Sequence, residues 1–298
     1  MDIALALGGG GSRGNAHIGV IRSLEKEGFK IRAIAGTSAG GIIAACYAAG
    51  YSPDDMEKIF FEADQSKFYA RTSGDNSSLM GLTGVGRILD GLFGERKLED
   101  LSIPCGMTAV DIKSASEVIL TEGKIVDAVL ATIALPGIFP PFVRGDYLLV
   151  DGGVLDPVPV SVARQLSDDL PVIAVVLTPF YDTGEPIKGI RLPASIPSPL
   201  IDRIQRTRLA QAFNIFLVSV DVGSRMLAEL RLQIDHPEFI IRPEVGHIGL
   251  MDKVDIHEVI RLGEDAVLPH IDELKRIAGW QGIIKTKLKR ILPSMLKH

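Results

Sequence analysis

Cysteine is scarce, with Cys46 and Cys105 the only two in 298 residues. Two thiols in apolar stretches, without ligand spacing, build neither a disulfide framework nor a metal site, so a reducing, cytoplasmic setting without metal chemistry is expected. Long apolar runs are missing as well. None approaches the roughly 18 residues of a spanning helix, so no membrane crossing is expected. There is no basic excess: 32 Lys and Arg stand against 37 Asp and Glu, giving a net charge of −5, which argues against a general nucleic-acid partner. Met1-Asp2-Ile3-Ala4-Leu5-Ala6-Leu7 lacks the basic flank and apolar length of a secretion signal and reads as a first strand. A hydrophobic fraction of 46% is enough to bury a sizeable core in one large domain or two small ones.

That first strand runs into Gly8-Gly9-Gly10-Gly11-Ser12-Arg13-Gly14, with a helix expected from residue 15 to about 26. A strand, a glycine loop and a helix N-terminus form an anion cradle in which backbone N–H groups approach a ligand closely. The Gly-Lys-Ser/Thr of a Walker loop is absent, which excludes that use. Gly9, Gly11 and Gly14 satisfy G-x-G-x-x-G, yet the second strand ends in Ala35-Gly36-Thr37-Ser38 with no carboxylate to hold a ribose. A third use, an oxyanion hole, stands ahead of the dinucleotide reading, and it calls for a nucleophile nearby.

Gly36-Thr37-Ser38-Ala39-Gly40 supplies one. It joins an apolar strand, residues 31–35, to a small-residue helix that ends at Gly50. In such a nucleophile elbow the strand and helix nearly collide, so Gly36 and Gly40 flank the serine, and Ser38 Oγ is lifted toward a helix N-terminus. The bland reading is an N-cap at Thr37 or Ser38. Farther on, the strand Tyr147-Leu148-Leu149-Val150 delivers Asp151 into the turn Gly152-Gly153. An acid at a strand end can reach a crevice, although Asp-Gly-Gly also suits a plain turn.

Strands alternating with helices predict a largely parallel sheet covered on both faces. Residues 51–102 look like an excursion over it, a candidate lid. The stretch 180–199 is a Pro/Gly-rich connection, residues 200 to about 233 are mostly helical, 238–242 form a short strand, and 254–276 a last long helix. Beyond Glu273 the tail has no acid: Arg276, Lys285, Lys287, Lys289, Arg290 and Lys297 accompany Ile284, Leu288, Ile291, Met295 and Trp280, with Pro293 interrupting. This basic amphipathic segment, 277–298, has two readings, a peripheral contact with the membrane inner face or a helix packed on the domain or in a homodimer.

Three elements thus stand in chain order: Gly9-Gly10-Gly11-Ser12-Arg13-Gly14, Gly36-Thr37-Ser38-Ala39-Gly40 and Asp151-Gly152-Gly153. Together with Asn15-Ala16-His17-Ile18-Gly19-Val20, Ala134-Leu135-Pro136 and Val158-Pro159-Val160 they closely resemble the patatin-like phospholipase family, over residues 3 to about 180. The resemblance implies a three-layer α/β/α sandwich spanning residues 1–276. It also implies lipid acyl hydrolysis, on phospholipids or lysophospholipids, by a Ser–Asp dyad without histidine, metal or cofactor. Carried onto this chain, Ser38 is the nucleophile and Asp151 the base. Gly9, Gly10, Gly11, Arg13, Gly14 and Ala39 form the oxyanion and substrate cradle, the N–H groups of Gly10 and Gly11 foremost. Gly36, Gly40, Gly152 and Gly153 support the turns. Asp156 departs from the asparagine that many relatives carry. Of the six histidines, His17 lies nearest a motif, with packing as its expected role. A non-catalytic adaptor on the same fold, and a nucleotide-binding enzyme resting on Gly9, Gly11 and Gly14, are the competing readings.

Overall fold

The computed structural model describes residues 1–62, 82–167, 169–178, 208–279 and 282. The expected lid falls partly outside them, at 63–81, as do the connection 180–199 and nearly all of the basic tail. In chain order the strands are β1 (Asp2–Leu7), β2 (Lys30–Gly36), β3 (Cys105–Asp111), β4 (Ser116–Leu120), β5 (Phe142–Arg144), β6 (Tyr147–Asp151), β7 (Val172–Val175) and β8 (Phe239–Ile241). The helices are α1 (Ala16–Lys26), α2 (Ala39–Ala48), α3 (Pro53–Glu62), α4 (Thr83–Phe93), α5 (Ile125–Thr132), α6 (Val160–Gln165), α7 (Arg208–Asp235), α8 (Ile256–Asp265) and α9 (Ile271–Ala278).

Strands β3-β2-β1-β7-β8 run parallel, and β4, β6 and β5 add antiparallel neighbours at the β3 end. Side chains alternate across the pleat, so each strand feeds two cores. Ile3, Leu5 and Leu7 of β1, with Ile173 and Val175 of β7, pack under α1, α2, α5 and α8. Ala4, Ala6, Val172 and Ala174 face α6 and α7, meeting Val160, Val162, Ala228 and Leu232. Small residues on that second face let its helices lie close to the sheet, giving three layers.

The sheet forks at β3. One edge of β3 carries β4 from Met107 to Asp111. The other edge is divided: β2 occupies it as far as Met107, paired with Gly36, and β6 takes over at Ala109, paired with Asp151. The end of β2 and the end of β6 therefore meet on either side of Thr108.

One element differs from the sequence expectation. The last long helix is two, α8 and α9, separated by a 3₁₀ turn at Leu268–His270. Pro269 at that turn has no N–H to donate and would clash with the carbonyl four residues back. Among the described residues no helix is long and apolar enough to cross a membrane.

Candidate active site

Ser38 sits between β2 and α2 with φ 54° and ψ −123°, a left-handed conformation rare for a residue with a Cβ. Such strain persists only where the surroundings enforce it. Here they do. Thr37 N–H donates to Leu7 O at 3.0 Å, Ser38 N–H to Thr132 Oγ1 at 2.9 Å, and Thr37 Oγ1 to the carbonyl of Asp156 at 2.9 Å. Because the Thr37 hydroxyl proton is committed to that carbonyl, Thr108 is the donor in the 2.7 Å hydroxyl pair Thr37–Thr108. The strand and helix touch at the glycines: a Cβ on Gly36 would lie 2.3 Å from Gly40 O, and one on Gly40 2.2 Å from Leu7 O. Backbone atoms cannot yield to it, so Gly40→Ala is expected to lose about 3 kcal/mol or more of stability, read as a large drop in melting temperature or as insoluble protein.

Asp151 ends β6 at the fork and completes the pair. Its Oδ2 accepts the Ser38 hydroxyl at 2.6 Å, and its Oδ1 accepts Gly153 N–H at 2.8 Å. The carboxyl is 3% exposed. Burial pushes its pKa up from 3.8 to about 6, while the bonds from Ser38 and Gly153 hold it down. The Gly152 Cα faces Thr108, leaving no room for a side chain, and Gly153 lies near Ser224 of α7.

The glycine loop presents the other half of the site. Gly8 N–H is taken by Val175 O, Gly9 N–H by Pro157 O and Ser12 N–H by Leu250 O. Gly9 backs onto Ser38 Cβ and Gly14 onto Ala39 Cβ, so these two glycines set spacing. Gly11 has φ 56°, and a Cβ there would lie 2.0 Å from Leu250 O, so glycine alone fits. Among the described residues the N–H groups of Gly10, Gly11 and Ala39 have no protein acceptor. Free amides beside a serine hydroxyl are what an oxyanion requires. Arg13 is buried and gives its Nε–H to Ile248 O at 2.6 Å, leaving Nη1 without a partner among the described residues. Burial lowers its pKa, against the opposing charge of Asp221.

His17 is fully buried, and its Nε2–H donates to Gly8 O at 2.7 Å. Burial drops its pKa to about 4, so the ring is neutral and braces the start of the loop. Among the described residues no histidine bonds to Ser38 or Asp151, and no group of three His, Cys, Asp or Glu side chains could hold a metal.

The Patatin-like phospholipase family profile matches residues 5–164, more than half of the chain and all three motifs. The chain belongs to this family. Among its patatin-like relatives, an NTE family protein of Mycobacterium bovis is 36% identical over 178 residues, 59% of this chain and 49% of that protein. A second NTE family protein, from Mycobacterium tuberculosis, is 30% identical over 276 residues, 89% of this chain and 46% of that one. Patatin-like phospholipase domain-containing protein 7 of Rattus norvegicus is 29% identical over 221 residues, 70% of this chain and 16% of that one. The chain thus spans about half the length of the NTE relatives it matches, or less for the rat protein. The crystal structure of VipD from Legionella pneumophila shares the patatin-like fold, with a TM-score of 0.57 at 12% identity over 91% of this chain and 67% of that one.

Two site residues carry no motif signal. Thr108 is a lone hydroxyl inside the fully buried strand Cys105–Asp111, and that polarity in the middle of a mostly apolar run was the available clue. Thr132, three residues before Leu135-Pro136, offered none beyond its place at the end of α5.

Proposed function

We propose that this chain is a serine lipid acyl hydrolase that cleaves acyl esters of phospholipids or lysophospholipids. The observation that carries the proposal is the 2.6 Å hydrogen bond from Ser38 Oγ to Asp151 Oδ2 at a strained elbow, beside three unengaged amides. Ser38 Oγ attacks the ester carbonyl carbon as its proton passes to Asp151 Oδ2. The carbonyl oxygen, now an anion, is held by the N–H groups of Gly10, Gly11 and Ala39. Collapse expels the alcohol, which takes the proton from Asp151, and leaves an acyl group on Ser38. Water then repeats the sequence and releases the fatty acid. A carboxylate with a pKa of about 6 is a better base than one at 3.8, and each oxyanion donor adds on the order of 10² to 10³ in turnover.

The test combines fluorophosphonate labelling, located by peptide mapping, with fatty-acid release from phospholipid and lysophospholipid dispersions. Labelling at Ser38 with release from either lipid is expected. Since the base acts only when ionised, kcat/KM should fall as pH drops through about 6. Folded protein that neither labels nor releases fatty acid from either lipid sinks the proposal.

A further inference from the structure

The three motifs converge on one short piece of chain outside them. Asp156 N–H donates to Gly152 O at 2.8 Å, which ties it to the turn after the base. Its carbonyl accepts the Thr37 hydroxyl at 2.9 Å, which ties it to the elbow. The next carbonyl, Pro157 O, accepts Gly9 N–H at 3.0 Å, which ties the same segment to the glycine loop. Asp156-Pro157 is therefore a hub whose displacement would move nucleophile, base and oxyanion cradle relative to one another.

The hub is fastened from outside by charge. The Asp156 side chain is fully buried, and its Oδ2 lies 3.0 Å from Arg231 Nη2 on α7. Among the described residues neither carboxylate oxygen of Asp156 accepts a well-formed hydrogen bond, so its charge is balanced by the guanidinium alone. Arg231 also faces Glu117 of β4 at 3.4 Å and Asp235 of α7 at 3.5 Å. Three carboxylates around one guanidinium leave a surplus of negative charge. Burial, with the charges of Glu117 and Asp235, raises the Asp156 pKa, and Arg231 opposes the rise. Without Arg231, an ionised Asp156 would be a buried, uncompensated charge, the costly case for a carboxylate.

We infer that Arg231 is a positioning residue for the hydrolytic site: by pairing with Asp156 it holds the hub that aligns Ser38, Asp151 and the Gly9–Gly11 loop. The inference rests on the serine-hydrolase reading. It explains how this chain accommodates an acid at 156, and it gives the long helix α7 a part in the chemistry without contact to substrate. A misplacement near 1 Å at the reacting atoms costs up to about 10²-fold in rate, so the pair is expected to act on kcat more than on KM.

The experiment compares wild type, Arg231→Met, Asp156→Asn and the double variant in full-length protein, on a soluble ester across pH 5–9. Arg231→Met is expected to lose roughly 10- to 100-fold in kcat at alkaline pH with little change in KM. Part of that loss should return as pH falls and Asp156 takes up a proton. The double variant leaves no buried charge at 156, and Glu117 and Asp235 lose Arg231 equally in both variants, so it should exceed Arg231→Met and follow the wild-type pH profile. If Arg231→Met does not fold, a folded and active double variant supports the same coupling. The inference is overturned if Arg231→Met matches wild type at every pH, or if it and the double variant share one loss that pH does not alter. Absence of turnover in folded wild type is a different result: it removes the hydrolase reading itself.

Discussion

Ser38→Ala is expected to fold as wild type does and to lose ester turnover by at least about 10⁴-fold, because nothing else in the site can hold the acyl group. Among the described residues Ser38 Oγ is the one hydroxyl bonded to the Asp151 carboxylate, and its loss leaves the cradle with no attacking atom. Ser38→Gly separates chemistry from strain. At φ 54° and ψ −123° the backbone penalises any side chain, and glycine relieves it. The glycine variant should therefore be equally inactive yet more stable than the alanine variant, by about 1–2 kcal/mol. Denaturant melts of the two alongside an ester assay provide the check. Equal stabilities would mean that the elbow stores no strain.

Asp151→Asn is expected to abolish turnover to a similar degree and, unusually for a buried site, to stabilise the fold at neutral pH. The folded carboxyl keeps its proton up to about pH 6, whereas an ordinary aspartate gives it up near 3.8. Above both values the ionised form carries the full cost of burial, and below both the cost is gone. Wild-type stability should thus rise as pH falls from above 6 towards 4, as far as this group contributes. The asparagine variant removes a penalty of up to about 3 kcal/mol at pH 7–8 and nothing near pH 4. Melting curves at pH 4, 6 and 8 test it. A variant less stable than wild type at pH 8 would show that Asp151 is held by more than its bonds to Ser38 and Gly153.

Much of this was legible in the sequence because the relevant constraints are local. The Gly36 and Gly40 requirement follows from a strand turning straight into a helix, and the close contacts with Gly40 O and Leu7 O are its physical origin. The strands at residues 31–35 and 147–150 were visible as apolar runs, and Asp151 as the acid at the end of one. What stayed hidden is long-range. No pattern in the chain tells that β6 succeeds β2 along the same edge of β3, since register between distant strands is set by the whole sheet. For the same reason the sequence could not show that the Gly9 amide is spent on Pro157, or that Thr132 holds the elbow from α5. The failure at Pro269 is of another kind: the signal was local, and the apolar periodicity on both sides of it masked the break.

The fork in the sheet makes β3 a ruler for the site. Ser38 and Asp151 are 113 residues apart in sequence, yet each is placed by the rung of β3 that its strand adjoins, Met107 for β2 and Ala109 for β6. Chain length between the two is then free to vary, because an insertion such as the excursion after residue 50 changes neither rung. A slip of one residue along β3 is not tolerated: it would shift Asp151 by about 3.3 Å and turn its side chain to the opposite face. Diversity can accumulate in the intervening loops while the distance between Ser38 and Asp151 stays calibrated by one strand.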